Sequence, residues 1–220
     1  MDPNAVPVEA YYAAAAVSGV IALAVFSGLL SRRLKKRART KAYERVAEEL
    51  NGELTRPPTW SAPPGFSCPR GSRRLEWRER KYHREGTELT VTELRYTFAD
   101  KDVTSVTALL YSKDYFDPAI DEFVGAAFST GIEWLDNAFV CKSNAPTRLE
   151  KAITDPKTAK ALERLHTDCD CSPLCIKVEH DEVLISKVGL REDYEGVKAH
   201  VECCNRLFDA FLGAEALQPD

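Results

Sequence analysis

The chain has 220 residues, 44% hydrophobic and 29% charged, and its 30 Lys and Arg against 34 Asp and Glu leave a net charge of −4. This excludes a disordered polyelectrolyte and a polytopic membrane protein, and 7 cysteines are too few for a disulfide-stapled mini-protein. The charge is unevenly spread: residues 1–84 hold 16 basic and 8 acidic side chains, residues 85–220 hold 14 and 26. So acidic a distal part argues against nucleic acid as a partner.

Residues 1–9 are expected to form a short extracytoplasmic N-terminus, with Asp2 and Glu9 as its charges. Residues 10–31, AYYAAAAVSGVIALAVFSGLLS, carry no charge over 22 positions. As a helix they span about 33 Å, against a hydrocarbon core of roughly 30 Å. Tyr11 and Tyr12 stand at one end, where amphipathic rings favour the interface. Beyond the other end come Arg32, Arg33, Lys35, Lys36, Arg37, Arg39 and Lys41. The positive-inside rule predicts a single pass through the cell membrane, N-terminus outside and the remainder cytoplasmic. A cleaved signal peptide is the rival reading, but it wants a basic n-region and a shorter apolar core, and here the basic cluster follows the span. The seven basic residues read as a topology signal and a membrane-surface patch, each worth roughly 1 kcal/mol near an anionic leaflet.

Residues 32–55 form a basic juxtamembrane stem ending in an amphipathic helix. Tyr43, Val46, Ala47 and Leu50 recur at helical spacing in TKAYERVAEELN, Gly52 offers a stop, and one helix can run from the span through the basic run. Residues 56–71 hold five prolines and read as a linker free of ladder pairing, with Trp60 either an interfacial anchor or folded onto the domain. A cytoplasmic domain is expected over 72–213, followed by a tail at 214–220. Its first strands are 73–82 (Leu75 and Trp77 opposed to Glu76 and Arg78), 88–98 (Leu89, Val91, Leu94, Tyr96) and 103–111, in series as a meander with a turn at His83–Gly86. Arg73, Arg74 and the run Glu76–Arg84 read as the exposed face of an edge strand. Residues 117–136 are left between helix and loop.

A strand is predicted over 138–142. A helix starts at Asp155-Pro156, with Asp as cap and Pro at the first position, before Ala159, Leu162 and Leu165. Residues 174–179 and 183–188 form a hairpin over His180-Asp181-Glu182. A closing helix over about 193–212 carries Val197, Val201, Cys204, Phe208 and Phe211 as an apolar stripe. The fold class is therefore α+β: an N-terminal transmembrane helix, then an antiparallel sheet (meander plus hairpin) covered by two or three helices.

This layout, with NAFVCKSNAPTRLEKAITDPKTAKALERL leading into a hairpin and closing helix, resembles bacterial single-pass membrane-anchored proteins with a cytoplasmic α+β domain of unknown function, over most of residues 40–213. The resemblance implies a bacterial, anchored protein and carries no catalytic residues with it.

Chemistry gathers most densely toward the C-terminal end. His166, Cys169, Cys171, Cys175, His200, Cys203 and Cys204 fall within 39 residues. Cys171 and Cys175 have a chelating spacing, and His200 and Cys204 share a helix face, so zinc is the candidate cofactor. Against it, cysteine is among the most buried residue types and Cys204 falls inside the apolar stripe. Core or surface cysteines are thus the preferred reading, and no cofactor is expected. A reducing cytoplasm disfavours disulfides. No nucleophile elbow, phosphate loop, dinucleotide turn or zincin helix occurs. A Cys141–His pair lacks any flanking signature, and Asp168 and Asp170, with Asp181 or Glu182, lack the spacing of a calcium loop. DYFDPAIDE, 114–122, reads as a solvated acidic loop.

Two functions follow. The preferred one is a membrane-anchored, non-enzymatic interaction or scaffold protein whose partners are membrane lipid and another protein. The alternative is a metal- or redox-responsive tethered domain using the His/Cys cluster at 166–204.

Overall fold

The computed structural model describes residues 8–55, 64–71, 73–84, 87–97, 106–115, 120, 123–167, 173–179, 182–189 and 193–213. Helix α1, Val8–Glu49, runs unbroken for 42 residues, about 63 Å at 1.5 Å per residue. It contains no proline and is rich in Ala, Leu, Arg, Lys and Glu, the strongest helix formers. It is long and apolar enough to cross a membrane, and Val17, Val20, Ile21, Leu23, Phe26 and Leu30 lie exposed along it. Its last turns change character: Ala42, Tyr43, Val46 and Ala47 are buried. The helix ends in a Schellman motif, Gly52 N–H donating to Ala47 O at 2.7 Å and Asn51 N–H to Glu48 O at 3.1 Å. Asn51 takes the left-handed conformation, φ 53°. Gly52 is required for a different reason: a Cβ there would lie 2.3 Å from Cys68 Sγ.

The strands are β1 Glu53–Thr55, β2 Gly65–Arg70, β3 Arg73–Arg84, β4 Thr87–Thr97, β5 Ala108–Ser112, β6 Ala126–Phe128, β7 Phe139–Ser143, β8 Leu174–Val178 and β9 Glu182–Val188. The helices are α2 Glu133–Ala138, α3 Pro146–Thr154, α4 Pro156–Thr167 and α5 Tyr194–Gly213. All nine strands join one antiparallel sheet in the order β1-β2-β3-β4-β9-β8-β5-β7-β6. The α+β class is as expected, and the apolar N-terminal helix does run on through the basic stem.

Several expectations are corrected. Residues 65–70 are a strand rather than linker: Phe66 and Cys68 are buried in β2. Proline is tolerated there because β1 pairs only with Gly65–Ser67, so Pro69 meets a partner on one side alone, Arg74. The Pro-rich segment therefore joins two paired strands, and the folded core takes in α1 from Ala42, well before Ser72. The meander also fails at its third strand. β4 pairs with β9, while β5 lies between β8 and β7, because the β8–β9 hairpin takes the edge that β4 offers. β3 is accordingly interior, between β2 and β4, and the sheet edges are the three-residue β1 and β6, whose shortness limits edge-to-edge pairing.

Alternation along the strands divides the sheet cleanly. Phe66, Leu75, Trp77, Leu94, Tyr96, Leu110, Ile176 and Ile185 point to one face, covered by the end of α1 and by α2, α3, α4 and α5, more cover than the two or three helices expected. Full burial of one such side chain contributes about 1.5–3 kcal/mol. Aromatic rings knit this layer: Phe66 stacks on Trp77 at 5.5 Å, Tyr43 meets Trp77 edge-on at 5.6 Å, and Tyr96 stacks on Phe208 at 4.0 Å. All five stripe residues of α5 are buried. Asp155 caps α4, its Oδ2 accepting the Lys157 and Thr158 backbone N–H groups at 3.0 and 3.1 Å. On the outer face a smaller apolar cluster unites Leu109, Tyr115, Ile120 and Cys175. Within the supposed solvated loop at 114–122, Tyr115 and Ile120 are thus buried against the sheet.

Candidate functional site

Two features of the described structure bear on function: the joint between the apolar helix and the domain, and a concavity on the outer face of the sheet.

At the joint, Tyr43 O–H donates to Glu79 Oε1, and Arg39 Nε lies 3.5 Å from the same oxygen. Glu79 points inward from β3 with its side chain 2% exposed, so the tyrosine and guanidinium are what compensate its burial. A second tie links α1 to α5. Lys198 Nζ donates to Glu49 Oε2 at 3.0 Å, Tyr194 O–H donates to Glu49 Oε1, and the Arg45 guanidinium covers the Tyr194 ring at 3.9 Å. The Tyr194 and Lys198 hydrogen bonds hold the Glu49 carboxyl below its usual range. Of the basic stem, Arg32, Arg33, Lys35, Lys36, Arg37 and Lys41 are exposed. Arg39 is not: its side chain is 16% exposed and turned to Glu79.

The His/Cys set is divided. Cys169 and Cys171 lie outside the described residues. His166, near the end of α4, meets the Phe139 ring at 5.2 Å. His200 is buried on α5, edge-on to Trp77 at 5.6 Å, and Cys204 is buried one turn further on, with Cys203 at the margin of the same core. Cys175 belongs to the outer cluster, so the sheet stands between it and Cys204. Among the described residues no group of three or more His, Cys, Asp or Glu is placed to hold a metal ion. Burial pushes the Cys68 thiol up to about 11 and, with Asp136 adding, Cys141 up to about 12; Cys204 is also raised by burial. A buried thiol so raised is held as the neutral form at neutral pH, the opposite of the activation a nucleophilic cysteine needs.

The outer-face concavity, about 390 Å³, lies over β3, β4, β9 and β8 beside the apolar cluster. At one end stand Leu109, Tyr115, Ile120 and Phe123; at the other, Arg80, Tyr82, Glu93, Arg95, Lys177 and Glu182. Glu93 is the central polar group. Its carboxylate is 3% exposed, Arg80 Nε sits 3.0 Å from Oε2, and Tyr82 O–H donates to Oε1 at 3.3 Å. Burial raises the Glu93 pKa, and Arg80, Tyr82, Arg95 and Arg78 pull it back. Arg95 pairs with Glu182 at 3.4 Å and Lys177 with Glu179 at 2.6 Å, so the charges are locally balanced. Among the described residues no histidine lines the concavity. It is an amphipathic recess, apolar at one end and charged at the other. Sequence reading missed Glu93 because a polar residue at an outward position of an alternating strand raises no flag. The available signal was the nearby apolar trio Tyr115, Ile120 and Phe123, which needs a surface to cover.

Comparison with known proteins finds no matching family model and no matching curated sequence. Among solved structures the chain is similar to the crystal structure of the mycobacterial trehalose monomycolate transport factor A, TtfA, at 12% identity and a TM-score of 0.49, over 84% of this chain and 98% of that one.

Proposed function

We propose that this chain is a single-pass, membrane-anchored, non-enzymatic interaction protein that holds an acidic α+β domain rigidly at the cytoplasmic face of the cell membrane. The observation that carries the reading is the unbroken α1, which passes from exposed apolar residues into the domain core with no intervening linker. Ten residues, 32–41, separate the expected span from the first buried residue, Ala42, about 15 Å of helix. Clamped by Glu79 and Glu49, this strut limits how far the domain can swing, so a given face of the sheet is presented at a set height above the lipid. The exposed stem cations suit an anionic leaflet and the cytoplasmic side. The outer-face recess, with an apolar end beside locally balanced charges, supports recognition of a protein partner.

The test uses the full chain in its own membranes. It should resist alkaline carbonate extraction, be cleaved by added protease only in inside-out vesicles, and cross-link through a photo-reactive residue at Arg95 to a discrete partner. A flexible eight-residue Gly/Ser insertion after Lys36 should leave the anchor in place and abolish that cross-link. Extraction by carbonate, cleavage in right-side-out cells, or cross-linking indifferent to the insertion would overturn the reading.

A further inference from the structure

The acidic half of the molecule contains a local reversal of sign. Residues 85–220 hold 14 basic side chains among 26 acidic ones. Four of those fourteen, Lys157, Lys160, Arg164 and Arg206, line one groove of about 560 Å³ between α4 and α5. Spacings of three and four residues put Lys157, Lys160 and Arg164 on one face of α4, and Arg206 comes from α5 beside it. Ala161 and Ala210, too small to fill the space, form part of the lining.

The groove also holds two carboxylates, and both are engaged. Asp155 is occupied in capping α4, accepting from Lys157 N, Thr158 N and Thr158 Oγ1. Asp209 Oδ2 receives Arg70 Nη2 at 2.5 Å. All four cations are exposed, and among the described residues none of them forms an ion pair. Like charges gathered around one concavity repel, and the positive end of the α4 dipole adds to the same field. A bound anion relieves both.

We infer that the α4–α5 groove binds a phosphorylated group, either a small phosphate-bearing molecule or a phospholipid headgroup. Two guanidinium forks and two ammonium groups match a multi-oxygen anion of charge near −2 better than a single carboxylate, and the space is that of a small ligand rather than of a protein surface. The site lies apart from the outer-face recess, and the inference does not depend on which partner that recess takes.

The experiment is calorimetric titration of the full-length chain in zwitterionic micelles at about 0.15 M salt, a screening length of roughly 8 Å, with inorganic pyrophosphate and, separately, dihexanoyl phosphatidic acid. Variants K160E/R164E and, on the other helix, R206Q are titrated in parallel, with circular dichroism to show that they fold. The basic stem is common to all three proteins, so the difference between them reads the groove. Saturable binding at least about tenfold weaker in the variants is expected; if pyrophosphate shows it, the source is a free phosphorylated molecule, and if only the phospholipid does, a headgroup. No saturable binding of either probe, or equal binding by parent and folded variants, would overturn the inference.

Discussion

On one face of the sheet Trp77, Leu94, Ile176 and Ile185 have no exposure at all under the helical layer. One residue further along the same strands stand Arg78, Arg95, Lys177 and Ser186, on the face that carries the recess. The first face is held by non-directional burial, which accumulates with area. The second is held by ion pairs such as Arg80–Glu93 and Arg95–Glu182, whose Coulombic gain is largely offset by the desolvation of their buried or half-buried members. Stability thus comes from the helix-covered face, and the outer face is at liberty to be shaped by recognition. Three measurements bear on that division.

The largest effect belongs to the helix side. Trp77 packs between Tyr43, Phe66 and His200, so Trp77→Ala should cost about 3–5 kcal/mol in urea unfolding followed by circular dichroism. A loss below about 1 kcal/mol would break the comparison. Next is the joint. Tyr43→Phe removes the donor to a Glu79 carboxylate that is otherwise compensated by Arg39, and should cost about 1–3 kcal/mol while speeding hydrogen exchange over residues 39–47. Unchanged exchange there would mean that the strut is held without the clamp.

The smallest effect is on the outer face. Arg80 is half-exposed and can turn to water, so Glu93→Gln should change stability by no more than about 1 kcal/mol at neutral pH. The pH dependence is the sharper readout. Because burial raises the Glu93 pKa in the folded state, the native protein keeps its proton over a range in which the unfolded chain has lost it. This side chain's contribution therefore falls as pH rises from the ordinary carboxylate range through the raised value. Glu93→Gln should remove that decline, and parallel curves for the two proteins would show that Glu93 titrates normally.

The comparison also explains what sequence reading could reach. The β3–β4 hairpin, the β8–β9 hairpin, the α4 cap at Asp155 and the stripe of α5 were all legible, since each is written in residues within a few positions of one another. β2 was hidden because prolines read locally as breakers, and only a short β1 leaving Pro69 one-sided makes them harmless. The partner of β4 was illegible for another reason: strands 103–111 and 183–188 are both apolar and alternating, and period alone does not choose between them. The outer recess and the α4–α5 groove draw on residues more than 40 positions apart, Arg80 with Lys177 and Lys157 with Arg206.

From the amino-acid order alone came the apolar span and its basic flank, the helix that continues beyond it and the α+β class, because hydropathy, charge and period act over one or two turns of chain. Tertiary structure decided that Gly65–Arg70 pair within the sheet, that the described cysteines divide between its two faces, and that the end of α1 packs into the domain core. Those outcomes depend on which surfaces meet, and burial and ion pairing reward a meeting whatever its separation along the chain.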